Sequence, residues 1–177
     1  ILEEYNLPYY FSKNIEKEAS KISKEIVKEK NRKDLRDTLT FTIDPADAKD
    51  FDDALSFKKL KNNNFEIGIH IADVTHYVKE NTLLDKEAKS RATSVYLSDR
   101  VVPMLPETLS NDLCSLNPNE DKNVFSVLVE IDSKSNIINA EFTKSLIKSD
   151  ERMSYEEAQF VLKNNKEMLP PLSLIHI

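Results

Sequence analysis

Five aspartates fall within ten residues in Asp44-Pro45-Ala46-Asp47-Ala48-Lys49-Asp50-Phe51-Asp52-Asp53. Two carboxylates about 4 Å apart repel by roughly 4 kcal/mol at an effective dielectric of about 20, so a folded chain that gathers several must protonate some, spread them into water or bind cations. Gathering them raises their pKa values while no cation is present. An all-oxygen donor set suits Mg²⁺, with Mn²⁺ as the alternative. The stretch does not fit a calcium loop, which wants Gly at its sixth position and Glu at its twelfth. Counting from Asp44 puts Lys49 and Leu55 there, and counting from Asp50 puts Leu55 and Lys61 there. A solvated acidic turn is the plainer reading of such a cluster. The flanks weigh against it, because Leu39-Thr40-Phe41-Thr42-Ile43 and Ala54-Leu55-Ser56-Phe57 both read as strands, and acids held between sheet elements are costly to bury.

The elements that must position these acids follow from periodicity. Ile15, Ala19, Ile22 and Ile26 recur at spacings of four, three and four, which predicts an amphipathic helix of about 15 residues with a solvated charged face. Phe65-Glu66-Ile67-Gly68-Ile69-His70-Ile71 alternates, which places Phe65, Ile67, Ile69 and Ile71 on one buried strand face and turns His70 to the other. There His70 is either a hydrogen-bonded structural residue or a neighbour of the metal shell. Leu83 to Ala92 has helical composition and leads into Ser94-Val95-Tyr96-Leu97. Pro103 and Pro106 fix a loop, after which Ser110-Asn111-Asp112 can cap a helical turn. Val124–Ile131 and Ile137–Ile147 are joined by a polar turn and form a hairpin. Ser154 and Glu157 make a capping box for a helix whose apolar stripe is Tyr155, Ala158, Val161 and Leu162. Asn62-Asn63-Asn64 and Ser133-Lys134-Ser135-Asn136 stand where turns often use glycine, of which the chain has one, Gly68.

Several of these blocks together resemble the catalytic domain of the ribonuclease II and ribonuclease R family. They are Lys33-Asp34-Leu35-Arg36-Asp37, Thr42-Ile43-Asp44-Pro45, Asp50-Phe51-Asp52-Asp53-Ala54, His70-Ile71-Ala72-Asp73-Val74 and Ser94-Val95-Tyr96-Leu97. Val102-Pro103-Met104-Leu105-Pro106-Glu107, Leu109 to Leu116 and Ser154-Tyr155-Glu156 follow in family order. The resemblance implies a hydrolytic 3'-to-5' exoribonuclease that degrades single-stranded RNA to nucleoside 5'-monophosphates by a two-metal-ion mechanism. It implies that Asp44, Asp50, Asp52 and Asp53 are the catalytic and metal-holding carboxylates, and that Asp73 is not a principal ligand. It also implies that Tyr96 and Tyr155 lie along the RNA path. From spacing alone Tyr96 is either a half-buried strand residue or a base-stacking ring, and Tyr155 is a helix packing residue. The family often has Gly where this chain has Ala92.

The implied architecture is α+β, a mixed and largely antiparallel sheet with flanking helices in an incomplete catalytic domain. Residues 1–33 read as a pre-domain segment with the amphipathic helix, 34–171 as the N-terminal part of that domain, and 172–177 as a non-native or truncation tail. The family's further acidic and arginine groups lie beyond this stretch, so little activity is expected from these 177 residues alone. A net charge of -6 provides no global positive field for nucleic acid, so any basic groove is local. Bound divalent ions would invert the local field and attract phosphate. One cysteine, Cys114, permits no intramolecular disulfide and fits a reducing, cytoplasmic setting. No membrane segment and no DNA partner are expected. The rival from a different class is a non-catalytic RNA-binding or interaction module with a solvated acidic loop.

Overall fold

The computed structural model describes residues 2, 4, 5, 7–22 and 31–164. Its backbone is the expected hairpin, β7 (Asp121–Ile131) with β8 (Ile137–Lys148), paired antiparallel along nearly their whole length with one irregularity at Glu130/Ile131. β4 (Phe65–Ala72) joins the free edge of β7, and β3 (Asp53–Lys59) and β2 (Thr40–Asp44) follow, each antiparallel to its neighbour. The edges are closed by two short parallel strands, β1 (Lys33–Asp34) beside β8 and β9 (Glu151–Ser154) beside β2. The described residues thus form a mixed, largely antiparallel sheet in the order β1-β8-β7-β4-β3-β2-β9.

The helices are α1 (Lys13–Ala19), α2 (Val74–Tyr77), α3 (Leu83–Arg91) and α4 (Tyr155–Asn164), with a π-helical turn over Thr108–Leu113. A two-residue ladder pairs β5 (Val95–Tyr96) with β6 (Val101–Val102). The first helix is shorter than its stripe predicts: Ile15 and Ala19 are buried as expected, Ile22 packs partly against the core, and Ile26 lies outside the described residues. Ser110, Asn111 and Asp112 sit inside the π-helical turn rather than capping it. The capping box of α4 forms as read. The Ser154 N–H donates to Glu157 Oε2 at 2.7 Å and the Glu157 N–H donates to Ser154 Oγ at 3.2 Å. Asn63 (φ 65°) and Ser135 (φ 63°) take up the left-handed turn conformations that glycine would normally fill.

One expectation is inverted. The period of two in β4 holds, but its buried face carries Gly68, His70 and Ala72, while Ile69 (41 % exposed) and Ile71 (50 %) stand on the open face. β2 and β3 follow the same rule, burying Thr40, Thr42, Ala54 and Ser56. Small side chains on that face let the helical layer approach, and Leu84, Leu105, Leu109, Leu113 and Leu116 supply the apolar bulk from above the sheet. His70 is fully buried between two serines, its Nδ1 2.7 Å from Ser126 Oγ and its Nε2 2.8 Å from Ser56 Oγ. Burial lowers its pKa to about 4, so it is a neutral core residue with both ring nitrogens satisfied and takes no part in a metal shell. Asp73 is equally structural. It accepts from Arg32 Nη2 at 2.6 Å in a buried ion pair and from Thr75 Oγ1 at 2.6 Å, and these partners hold its carboxyl below the ordinary range against the cost of burial. Cys114 is buried, and desolvation first of all pushes its thiol up to about 12.

Candidate active site

The acidic stretch connects two antiparallel neighbours. Asp44 is the last residue of β2, Asp53 the first of β3, and the residues between fold back across the end of the sheet. Phe51 decides how they do so. Its side chain is buried in the core, while its neighbours Asp50 and Asp52 are half-buried and exposed. The backbone around Phe51 is anchored at three points. The Phe51 N–H donates to Ser115 Oγ at 3.0 Å, Ser115 Oγ donates to the Lys49 carbonyl at 2.9 Å, and the Leu116 N–H donates to the Phe51 carbonyl at 2.9 Å. The Ala72 N–H accordingly reaches the Asp52 carbonyl at 2.9 Å and ties the loop to the end of β4.

The opposite flank of the loop is held by Arg152 of β9. Its Nη2 donates to the carbonyls of Pro45 (3.0 Å) and Ala46 (2.6 Å), and its guanidinium lies 5.0 Å from the centre of the Phe51 ring. Parallel pairing of β2 with β9 sets Asp44 opposite Ser154, which brings Tyr155, exposed at the start of α4, to the same end of the sheet. Tyr96 arrives from β5. Its exposed phenol donates a hydrogen bond to Asp50 Oδ2, and this bond, above all, pushes the phenol up to about 12.

The four carboxylates share one electrostatic environment. The Asp52 pKa is raised first by desolvation and then by the charges of Asp50, Asp53 and Asp44. The Asp44 pKa is likewise raised by desolvation first, with Asp53 and Asp50 adding to it. The Thr42 hydroxyl, on the same strand face, and Arg152 oppose the rise. Thr42 Oγ1 makes no hydrogen bond of good geometry, and Asp44 Oδ2 is buried without any partner. A buried carboxylate oxygen without a partner beside other acids is costly. As they stand, no three His, Cys, Asp or Glu groups among the described residues are gathered closely enough to hold a metal ion by themselves.

The structure thus brings Asp44, Asp50, Asp52, Asp53, Tyr96 and Tyr155 to one end of the sheet, keeps His70 in the core, and ties Asp73, just past the end of β4, into a buried ion pair with Arg32. Sequence reasoning missed Arg152 and Ser115, which shape the acidic loop. Ser115 stands in one of the family blocks but its role has no local signal, and Arg152 has none at all, since each acts across more than sixty residues of chain through a loop contact or a strand pairing.

Comparison with known proteins places this geometry in context. A family model described as RNB domain matches residues 32–174. Ribonuclease R 1 of Lactococcus lactis is 45% identical over 171 residues, 96% of this chain and 21% of that protein. The exosome complex exonuclease dis3 of Schizosaccharomyces pombe is 51% identical over 144 residues, 81% of this chain and 15% of that protein. Among solved structures, Mycoplasma genitalium RNase R in complex with ribose-methylated single-stranded RNA superposes with a TM-score of 0.87 at 35% identity, over 94% of this chain and 26% of that one. The chain therefore spans a quarter or less of the length of the curated relatives named here.

Proposed function

Because the chain belongs to the RNB-domain family, we propose that it carries the acidic half of the active site of a 3'-to-5' exoribonuclease, which hydrolyses single-stranded RNA to nucleoside 5'-monophosphates. The observation that carries this reading is the convergence of Asp44, Asp50, Asp52 and Asp53 on one end of the sheet, with the Tyr96 phenol hydrogen-bonded to Asp50. Relatives named ribonuclease R, and a solved RNase R with single-stranded RNA bound, support RNA as the substrate class.

The donor chemistry fits a hard divalent ion. Four carboxylates offer oxygen ligands only, two have raised pKa values, and Asp44 Oδ2 has no protein partner. The lack of a ready three-residue cage is compatible with Mg²⁺, which keeps several waters and is usually held by one or two carboxylates together with substrate phosphate. Asp44, Asp50, Asp52 and Asp53 would hold Mg²⁺ or Mn²⁺, and bound ions would supply an activated water and stabilise charge at the leaving oxygen. The chain's own residues do the positioning. Phe51, Ser115 and Arg152 fix the loop that carries the acids, and Tyr96 orients Asp50 while offering its ring face to a base or ribose. Tyr155, next to the Ser154 that pairs with Asp44, would extend the RNA path along α4.

The same lack of a closed cage favours a second reading, a non-catalytic RNA-binding module with solvated acids. Changing Asp52 to Asn separates the two, because it keeps the size and one acceptor oxygen and removes the charge. The chain grafted over the matching residues of the Lactococcus relative should lose mononucleotide release by at least about a hundredfold with this change, the scale of losing one electrostatic group in an active site, while still binding single-stranded RNA. Release within about twofold of the unsubstituted graft would defeat the catalytic assignment, since substitutions away from such sites shift free energies by under about 0.5 kcal/mol.

A further inference from the structure

A cleft of about 380 Å³ opens beside the acidic loop, with walls from widely separated parts of the chain. Tyr9 comes from the segment before α1, Asp50 from the acidic loop, Tyr96 and Arg100 from the β5–β6 ladder and its turn, and Asn111 from the π-helical turn. We propose that this cleft seats one nucleotide of bound RNA, its phosphate on the Arg100 guanidinium and its base or ribose against the Tyr9 ring. The proposal rests on the reading above that Asp50 and its neighbours face an RNA phosphate, and it adds a second contact point that the acids cannot supply.

Three observations carry it. Asp47, Asp50 and Glu107 line the cleft, so an approaching phosphate needs a cation there, and the lining holds two, the Lys49 ammonium and the Arg100 guanidinium, of which only the second offers a planar fork. Asp99 Oδ2 accepts from Arg100 Nε at 2.9 Å and from Nη2 at 2.7 Å, which orients the planar fork but leaves Nη1 available, and 44% of the side chain remains exposed. A guanidinium so placed recognises phosphate through directed hydrogen bonds.

Tyr9 is also held in place, although it lies in a segment with no regular structure. The Arg91 side chain on α3 is only 2% exposed. It donates to the carbonyl of Pro8, to that of Tyr10 at 3.0 Å and to that of Pro103 at 3.0 Å, and its guanidinium sits 3.7 Å from the centre of the Phe11 ring. One buried guanidinium therefore fixes the backbone on both sides of Tyr9 and ties it to the loop after β6. The half-buried Tyr9 ring then faces the Arg100 guanidinium at 5.6 Å. Finally, the volume is near the lower end of the roughly 300 to 1,000 Å³ of ligand pockets, a size for one nucleotide rather than a strand.

The test uses the 177-residue chain with adenosine 5'-monophosphate and adenosine as probes, followed by amide chemical shifts. Arg100→Gln should weaken the monophosphate about fivefold or more and leave adenosine unchanged. Tyr9→Leu should weaken both about fivefold or more, the scale of one lost stacking contact. Arg100 is exposed, so Arg100→Gln is expected to keep the parent melting temperature. Monophosphate binding within twofold of the parent in Arg100→Gln, or no shifts around the cleft at millimolar ligand, overturns the proposal. If that happens while Asp52→Asn still abolishes release, only the cleft assignment falls. If the cleft variants behave as stated and Asp52→Asn releases normally, the acidic-site reading falls, and with it the assignment of the cleft's nucleotide to bound RNA.

Discussion

Acidification should unfold this domain partly through one residue, His70. Its ring is fully buried, and burial lowers its pKa from 6.5 to about 4. Between those two values the unfolded chain binds a proton that the folded chain refuses, so stability rises with pH through the window and is lost as pH falls below about 6.5. At one pKa unit per about 1.4 kcal/mol, the loss is about 2 kcal/mol at pH 5 and approaches about 3 kcal/mol near pH 4. For a domain of this size about 2 kcal/mol corresponds to a fall of about 4 to 8 °C in melting temperature. The assay is urea unfolding of the parent and of His70→Gln at pH 7.5 and pH 5. Gln can still bond Ser56 and Ser126 but does not titrate. The variant is expected to be the less stable protein at pH 7.5 and to lose about 2 kcal/mol less than the parent on going to pH 5. Every other titrating group is common to both proteins and cancels in that difference. Equal losses within about 0.5 kcal/mol would refute the account of His70 as a desolvated neutral core residue.

Gly68→Ala should be strongly destabilising, by about 2 to 4 kcal/mol in urea unfolding. An added Cβ would lie 2.2 Å from Ser56 Oγ and 2.6 Å from His70 Nε2, forcing apart the hydrogen-bonded pair. Ala92→Gly should act in the opposite sense. Ala92 ends α3 at φ 64°, where a side chain is strained, so glycine is expected to add about 1 kcal/mol and to raise the melting temperature by about 2 to 4 °C. The raised pKa values of Asp44 and Asp52 mean that the folded state binds more protons than the unfolded one. This contribution to stability is present at low pH and is lost as pH climbs through the ordinary carboxylate range and then the higher folded values. Millimolar Mg²⁺ or Mn²⁺ near pH 7 should relieve that loss, seen as a rise in melting temperature that disappears in the Asp44→Asn, Asp52→Asn double variant. An equal rise in the double variant would assign the effect to ions elsewhere.

Local chemistry in the chain was enough to determine much of this protein. Five aspartates between two strand-like runs marked the candidate site, the capping box placed α4, and the two long β-rich runs predicted the β7–β8 hairpin, because each depends on residues close together in sequence. The block order carried the family. What needed the tertiary structure was which face of the sheet is covered. Alternation in β4 predicts two faces, and hydrophobicity points to Ile69 and Ile71 as the buried one. The leucines of the helices and the turn pack instead against the face of small residues, where Gly68 leaves room for His70 and its two serines. The partners that shape the acidic loop and the segment before α1 were equally illegible. Arg152 reaches Pro45 and Ala46 only because β9 pairs parallel to β2, and Arg91 reaches Pro8 and Tyr10 only because α3 packs beside the first segment. Such contacts join residues eighty or more positions apart, and no periodicity or motif encodes them, because their partners are backbone carbonyls that every residue possesses.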